Sequence, residues 1–207
     1  RIEKINATMK QYLDSGILEN IGQGLMYVER RAGANTRHGL IVALDLECYD
    51  YTKGSTTLIR ATEGTIVERI PPRLRIRKDA PVELPHILVL IDDPERTVIE
   101  PIGESVGDAD KRYDFELMQN GGHIKGYFVK DEARVGRAIR ALEALADQAR
   151  FNEKYGADQP PLLFAMGDGN HSFATAKQCW EDIKGSLSDE EKKKSAKKPV
   201  VDAVRQF

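Results

Sequence analysis

Cysteine is almost missing from this chain. Cys48 and Cys179 are the 2 cysteines among 207 residues. Their separation gives neither a disulfide framework nor the close spacing of a zinc or redox motif. A reduced, cytoplasmic protein is the expectation. Long apolar runs are lacking too: none approaches the roughly 18 residues that cross a bilayer, and no signal sequence opens the chain, so no membrane partner is expected. Charge of one sign is not in excess. The 31 Lys and Arg nearly cancel the 33 Asp and Glu, leaving a formal net charge of −2. With aromatics at only 7%, there is no global drive toward nucleic acid, which is not expected as a partner. Any polyanion site must come from local clustering. The three-glycine dinucleotide fingerprint and the lysine-bearing P-loop are both absent.

What remains is an ordinary globular composition, 41% hydrophobic and 31% charged, long enough to bury a core without disulfides. Residues 1–207 are read as a single α/β domain. The chain starts at Arg1 and enters a helical pattern at once, with Ile2, Ile5, Met9, Tyr12 and Leu13 on one face, so it is read as a piece of a longer protein. Residues 186–198 are charged and poor in apolar side chains, which suits a surface helix or a mobile linker.

The fold class expected is α/β or α+β, a mixed sheet with antiparallel hairpins in the first half and a βαβα unit in the second. Strand-like runs 25–31 and 39–48 flank the turn-rich Gly33-Ala34-Asn35-Thr36, and 113–118 and 124–129 flank Asn120-Gly121-Gly122; each reads as a hairpin. Arg73-Leu74-Arg75-Ile76-Arg77 alternates as a strand with one charged face. His86 to Ile91 is a further strand. Asp131 caps a long helix ending at Gly156, with Val135, Ile139, Leu142, Ala146 and Ala149 on one stripe. The uniformly apolar Leu162 to Met166 then reads as a buried inner strand. Strand, helix, strand, loop and helix in that order predict a parallel pair joined by a right-handed crossover.

The chemistry concentrates where that strand ends, in Gly167-Asp168-Gly169-Asn170-His171-Ser172. Ligands of open α/β sheets gather at the carboxyl ends of strands. The helix that follows offers unpaired N–H groups and the positive end of its dipole. Gly167 and Gly169 let a ligand approach the backbone, and Asn170, His171 and Ser172 add side-chain donors. Together they make a candidate phosphate site. Asp168 repels phosphate, but it makes sense as a Mg²⁺ ligand or as the acceptor of a hydroxyl proton. The plain alternative is a turn followed by a helix cap.

Glu63, set between Arg60 and two threonines, is a second acid–base candidate, or else part of a charged turn. Arg60, Arg69 and Arg73 belong to the densest basic stretch and suit bidentate oxyanion contacts, or else a solvated face. Asp92-Asp93-Pro94 suits either Mg²⁺ or a turn. His38, His86 and His123 lack ligand spacing and read as structural, and Trp180 falls on an apolar helix stripe.

The stretch FAMGDGNHSFATAK resembles the strand–DGHHR–helix motif of the domain of unknown function 1015 family, and IRATEGTIVERIPPR and LPHILVLIDDPE resemble its middle region. The resemblance runs from the first helix to about Glu191. Members of that family are longer, which again implies a piece of a larger protein, and the family has no established activity. The loop also looks like the phosphate-binding loop of the ParB/sulfiredoxin superfamily, which holds DNA-partition nucleotidases, a phosphoryl-transferring reductase and a free-serine kinase. That likeness implies roles for Asp168, Gly169 and His171, with Mg²⁺ and ATP or ADP as cofactors. Asn170 stands where that motif has its first His, and Ser172 where it has Arg, which removes a bidentate phosphate contact. The function expected is binding of a small phosphorylated ligand or nucleotide, with metal-dependent phosphoryl transfer to a small metabolite as the activity. The alternatives are a non-catalytic binding or regulatory module, favoured by the missing Arg, and a nucleic-acid-associated protein.

Overall fold

Gly33, at φ +60°, closes a two-residue turn and lets the chain fold straight back on itself. Around such turns the computed structural model, which describes residues 1–83, 87–156 and 159–188, builds two four-stranded sheets. The first half contributes α1 (Ile2–Asp14), β1 (Leu25–Ala32), β2 (Asn35–Ile41), β3 (Tyr49–Asp50), β4 (Ile59–Arg60), α2 (Ile70–Arg77) and β5 (Leu88–Leu90). The second half adds α3 (Glu100–Ser105), β6 (Lys111–Glu116), β7 (His123–Val129), α4 (Glu132–Leu145) and α5 (Gln148–Tyr155). It ends on β8 (Phe164–Asp168) and α6 (Asn170–Ser186). The protein is therefore a mixed α/β fold, as the pattern predicts.

The described residues divide into two units, a division that the single-domain reading did not contain. Those in Arg1–Ile21, Asp45–Ile91 and Asp158–Lys198 form the first, and those in Gly22–Leu44 and Asp92–Ala157 form the second.

The first unit carries the mixed sheet β3-β4-β8-β5. β8 is parallel to β4 on one side and antiparallel to β5 on the other, so it is the inner strand expected. Leu163, Phe164 and Met166 are buried, because a strand paired on both edges and covered on its faces needs apolar side chains in both directions. α2 packs along α6. Across this unit Trp180 donates its indole N–H to the Glu47 carboxylate at 2.5 Å, and Lys184 closes on the same group at 2.9 Å. Burial pushes that carboxyl up, but the hydrogen bonds from Lys184 and Trp180 and the charge of Lys177 outweigh it and hold it below its ordinary value. Trp180 is thus half-buried with a polar partner, not the plain core residue its stripe suggests.

The second unit carries the antiparallel sheet β2-β1-β7-β6. Leu25, Tyr27 and Val129 on one face of it pack with Ile102 of α3 and with Ala138 and Ile139 of α4. Arg134 of α4 grips Asp110 through two parallel contacts of 2.8 Å. The first hairpin forms with its second strand at Asn35–Ile41, starting four residues before the predicted Gly39 and ending well short of the predicted Cys48, which lies in a 3-10 turn at Leu46–Cys48. The second hairpin turns through left-handed Gln119, Asn120 and Gly122.

Three expectations need correction. Residues 70–77 are helical: Pro71 and Pro72 occupy the first turn, where a missing N–H costs nothing, and Ile70 and Leu74, one turn apart, are the inward positions. The predicted long helix is two, because the Asp147 side chain accepts from the Arg150 N–H and starts α5 afresh. The predicted parallel pair is not β7 with β8, which lie in different sheets; β8 finds its parallel partner in β4. The predicted strand at His86–Ile91 is β5, but His86 itself lies outside the described residues, as does most of the 186–198 segment.

Candidate functional site

β8 carries Gly167 and Asp168 to its carboxyl end, so these two residues belong to the strand and not to the loop. A Cβ on Gly167 would stand 3.3–3.4 Å from Leu88 and Leu90, so the missing side chain lets β5 cross close by. Asp168 is exposed and accepts from the Gly169 N–H at 2.7 Å. Gly169, at φ +87°, turns the chain in the left-handed region that glycine enters without strain. α6 begins at the next residue and receives no side-chain cap. The plain alternative, a cap by Asn170 or Ser172, is therefore not what these side chains do; both lie inside the helix.

Asn170 is the second residue after the strand and is 3% exposed. Its Nδ2 donates to Glu63 Oε1 at 3.3 Å, while its Oδ1 is buried with no partner. His171 Nε2 accepts the backbone N–H of Ile66 at 3.1 Å. An imidazole nitrogen that accepts carries no proton, so this bond leaves Nδ1 as the ring's donor position. Thr62 Oγ1 donates to the Met166 carbonyl at 2.5 Å. Three ties in a row thus lay the 62–66 segment along the end of β8 and the start of α6. Glu63 thus meets Asn170, which sits between Asp168 and His171 in sequence, while neither Asp168 nor His171 receives a side chain of Arg60, Glu63, Arg69 or Arg73 in the hydrogen bonds of this turn.

The basic residues go elsewhere. Arg60 Nη2 donates to the carbonyls of Thr56, Pro160 and Pro161 at 2.9–3.0 Å. Burial lowers its pKa from the ordinary value, and its Nε is buried without a partner. Arg69 and Arg73 sit exposed at the start of α2, where Arg73 donates to the Arg69 carbonyl at 2.8 Å. Asp93 receives the Thr97 hydroxyl and the Val98 N–H, as an ordinary turn residue does. His38 bonds the Tyr27 hydroxyl at 2.6 Å, and His123 lies between Asp114 and Glu116; both roles are structural. Burial first, then the charges of Asp45 and Glu47, push the Cys48 thiol up to about 11, and burial raises Cys179 as well.

Beside the 62–66 segment opens a cavity of about 680 Å³, lined by residues 50–55 and 60–65 and by Val67. This volume falls within the range of small-molecule sites. Glu63 belongs to its wall and also touches Asn170, so cavity and helix start share a residue. Sequence reasoning missed the 50–55 side of this cavity, since Lys53-Gly54-Ser55-Thr56 reads only as a turn. Among the described residues no helix is long and apolar enough to cross a membrane.

Comparison with known proteins agrees with the motif. A family model described as a protein of unknown function (DUF1015) matches residues 1–203. No curated protein and no solved structure matches the chain. The match spans both sheets, the 62–66 segment and the Asp168–His171 turn, and the chain accordingly belongs to the DUF1015 family.

Proposed function

We propose that this protein binds a phosphorylated small molecule, nucleotides included, at the start of α6. One observation carries the reading: a 17-residue helix opens without a side-chain cap at the end of an inner strand, and its first residue is a buried Asn with an unpartnered Oδ1. Uncapped N–H groups at the positive end of a helix suit phosphate oxygens. An unpartnered buried acceptor asks for a donor, such as a hydroxyl of the same ligand. The charge of Asp168 opposes bare phosphate, and Mg²⁺ would reverse that opposition. Among the described residues no three His, Cys, Asp or Glu side chains gather as a metal cage. Asp168 would therefore share the ion with phosphate oxygens of ATP or ADP, an arrangement common for Mg²⁺. Phosphoryl transfer to a small metabolite is the activity such a complex supports.

A non-catalytic binding module is the second reading, and a specific observation favours it. The groups best suited to proton transfer are already engaged, His171 Nε2 by the Ile66 N–H and Glu63 by Asn170. The test is thermal unfolding with inorganic phosphate, ADP and ATP, each with and without Mg²⁺. Stabilisation that grows with ligand concentration is expected. Asp168→Asn should keep or gain affinity for bare phosphate and lose the Mg²⁺-dependent part of nucleotide binding. Turnover of ATP would decide for the enzyme. No shift with any of these ligands would overturn the reading.

A further inference from the structure

The register of β2-β1-β7-β6 sorts every side chain of that sheet onto one of two faces. The face that packs on α3 and α4 holds Leu25, Tyr27 and Val129. Strand alternation puts Glu29, Asp114 and Glu116, the carboxylates of the sheet, on this same face. There they meet cations: Glu116 pairs with Arg31 at 3.2 Å, and Asp114 with His123 at 2.6 Å. The opposite face carries Met26, Val28, Ile41, Tyr113, Phe115 and Ile124 by the same register. Ile41 is 61% and Phe115 50% exposed. Arg30 and Arg37 lie directly opposite each other on this face. Like charges so placed repel, and among the described residues no carboxylate pairs with either.

This outer face is apolar and cationic, with no carboxylate of its own. Met, aromatic residues and Arg are the types that protein interfaces favour, and Lys, Asp and Glu are the types they avoid. We infer that the outer face of this sheet docks an acidic segment of a partner protein that also carries apolar side chains. The charge pattern argues against a second copy of the same face, which would set arginine against arginine. It argues less well for single-stranded nucleic acid, which needs a row of rings to stack on. Here Phe128, the ring that β7 places on this face, is buried, and the other two rings, Tyr113 and Phe115, sit together on the edge strand β6.

The experiment is fluorescence anisotropy of the whole chain with a labelled peptide alternating Glu and Leu, beside the same peptide with Lys for Glu and an oligo-dT strand. Arg37→Glu replaces a repulsive cross-strand pair by an attractive one, so its melting temperature should hold or rise and a loss of binding would not be a loss of fold. The Glu peptide should bind, and bind at least tenfold more weakly to Arg37→Glu and to Phe115→Ser. Arg75→Glu, an equal charge change on α2, should leave it unaffected, and the Lys peptide should not bind. Absence of binding by the Glu peptide, or equal weakening in Arg75→Glu, would overturn the inference. So would tighter binding of oligo-dT that Arg37→Glu abolishes, which would make the face a nucleic-acid surface.

Discussion

His171 shows how one hydrogen bond reassigns a residue. In the sequence it is a donor for phosphate beside two glycines; in the structure its Nε2 lone pair receives the Ile66 N–H and holds the 62–66 segment in place. His171→Ala should therefore cost about 1 kcal/mol of stability in urea unfolding and speed amide exchange at Ile66; unchanged exchange there would deny the tie. Asp168, Gly169 and Glu63 stand out in the sequence because their residue types are those of anion and proton chemistry. The burial of Asn170 does not, because an Asn after glycine at a helix start reads as a cap. Its partner there is the Glu63 carboxylate, 107 positions away. No local pattern contains that contact.

Elements were legible where one periodicity dominates and illegible where two compete. Arg73 to Arg77 alternates with period two, yet Ile70 and Leu74 also sit one helical turn apart, and packing of α2 along α6 decides for the helix. Ala146 continues the apolar stripe of α4, but the Asp147 carboxylate offers α5 a better start than α4 a continuation. α4 is held to the loop before β6 by Arg134 and Asp110, with side chains only 20% and 18% exposed. Hydrogen bonds from Arg134, helped by the Gly107 N–H, lower the Asp110 carboxyl to about 2 against the upward push of burial. A carboxyl lowered in the folded state contributes stability that is complete above its unfolded value, near 4. That contribution is lost as pH falls toward 2. Urea unfolding should show about 1–2 kcal/mol lost across that interval, and Asp110→Asn should flatten the dependence. His123 runs the other way. Hydrogen bonds from its ring to Glu116 and Asp114 raise its pKa, so the stabilisation it gives the β6–β7 hairpin is present below its unfolded pKa and fades as pH climbs through the raised value. α3 meets β1 at Gly103, where a Cβ would stand 2.5 Å from the Tyr27 hydroxyl. Gly103→Ala should destabilise by about 1–3 kcal/mol, as overpacked cores do, in thermal or denaturant melts.

For the molecule as a whole, the sequence order strand, helix, strand, loop, helix was right and the pairing drawn from it was not. β8 pairs with β4 across more than a hundred positions, and the intervening strands β6 and β7 belong to the other sheet. A crossover rule applies only to strands that share a sheet, and nothing in local patterning says which do. Two cores follow from this weaving. Ile59, fully buried, anchors the mixed sheet, and Leu25, 2% exposed, anchors the antiparallel one. Ile59→Ala and Leu25→Ala should each cost about 2–5 kcal/mol. Hydrogen exchange should localise the first to β4, β5 and β8 and the second to β1, β2, β6 and β7. Equal loss of protection in both sheets from either change would mean that the two cores unfold as one.

Trp180 is the only tryptophan in the chain, and it sits on the helix whose first turn carries the candidate site. Ultraviolet emission excited at the indole therefore reports on one unit alone. Melting followed by that signal records the mixed sheet and its helices and is silent about the antiparallel sheet, whereas far-ultraviolet dichroism sees both. Indole–carboxylate contact also quenches, so a ligand that shifts α6 enough to part Trp180 from Glu47 should brighten the emission. The molecule thus supplies its own label-free gauge for the site, one that its 7 tyrosines, spread over both units, cannot replace.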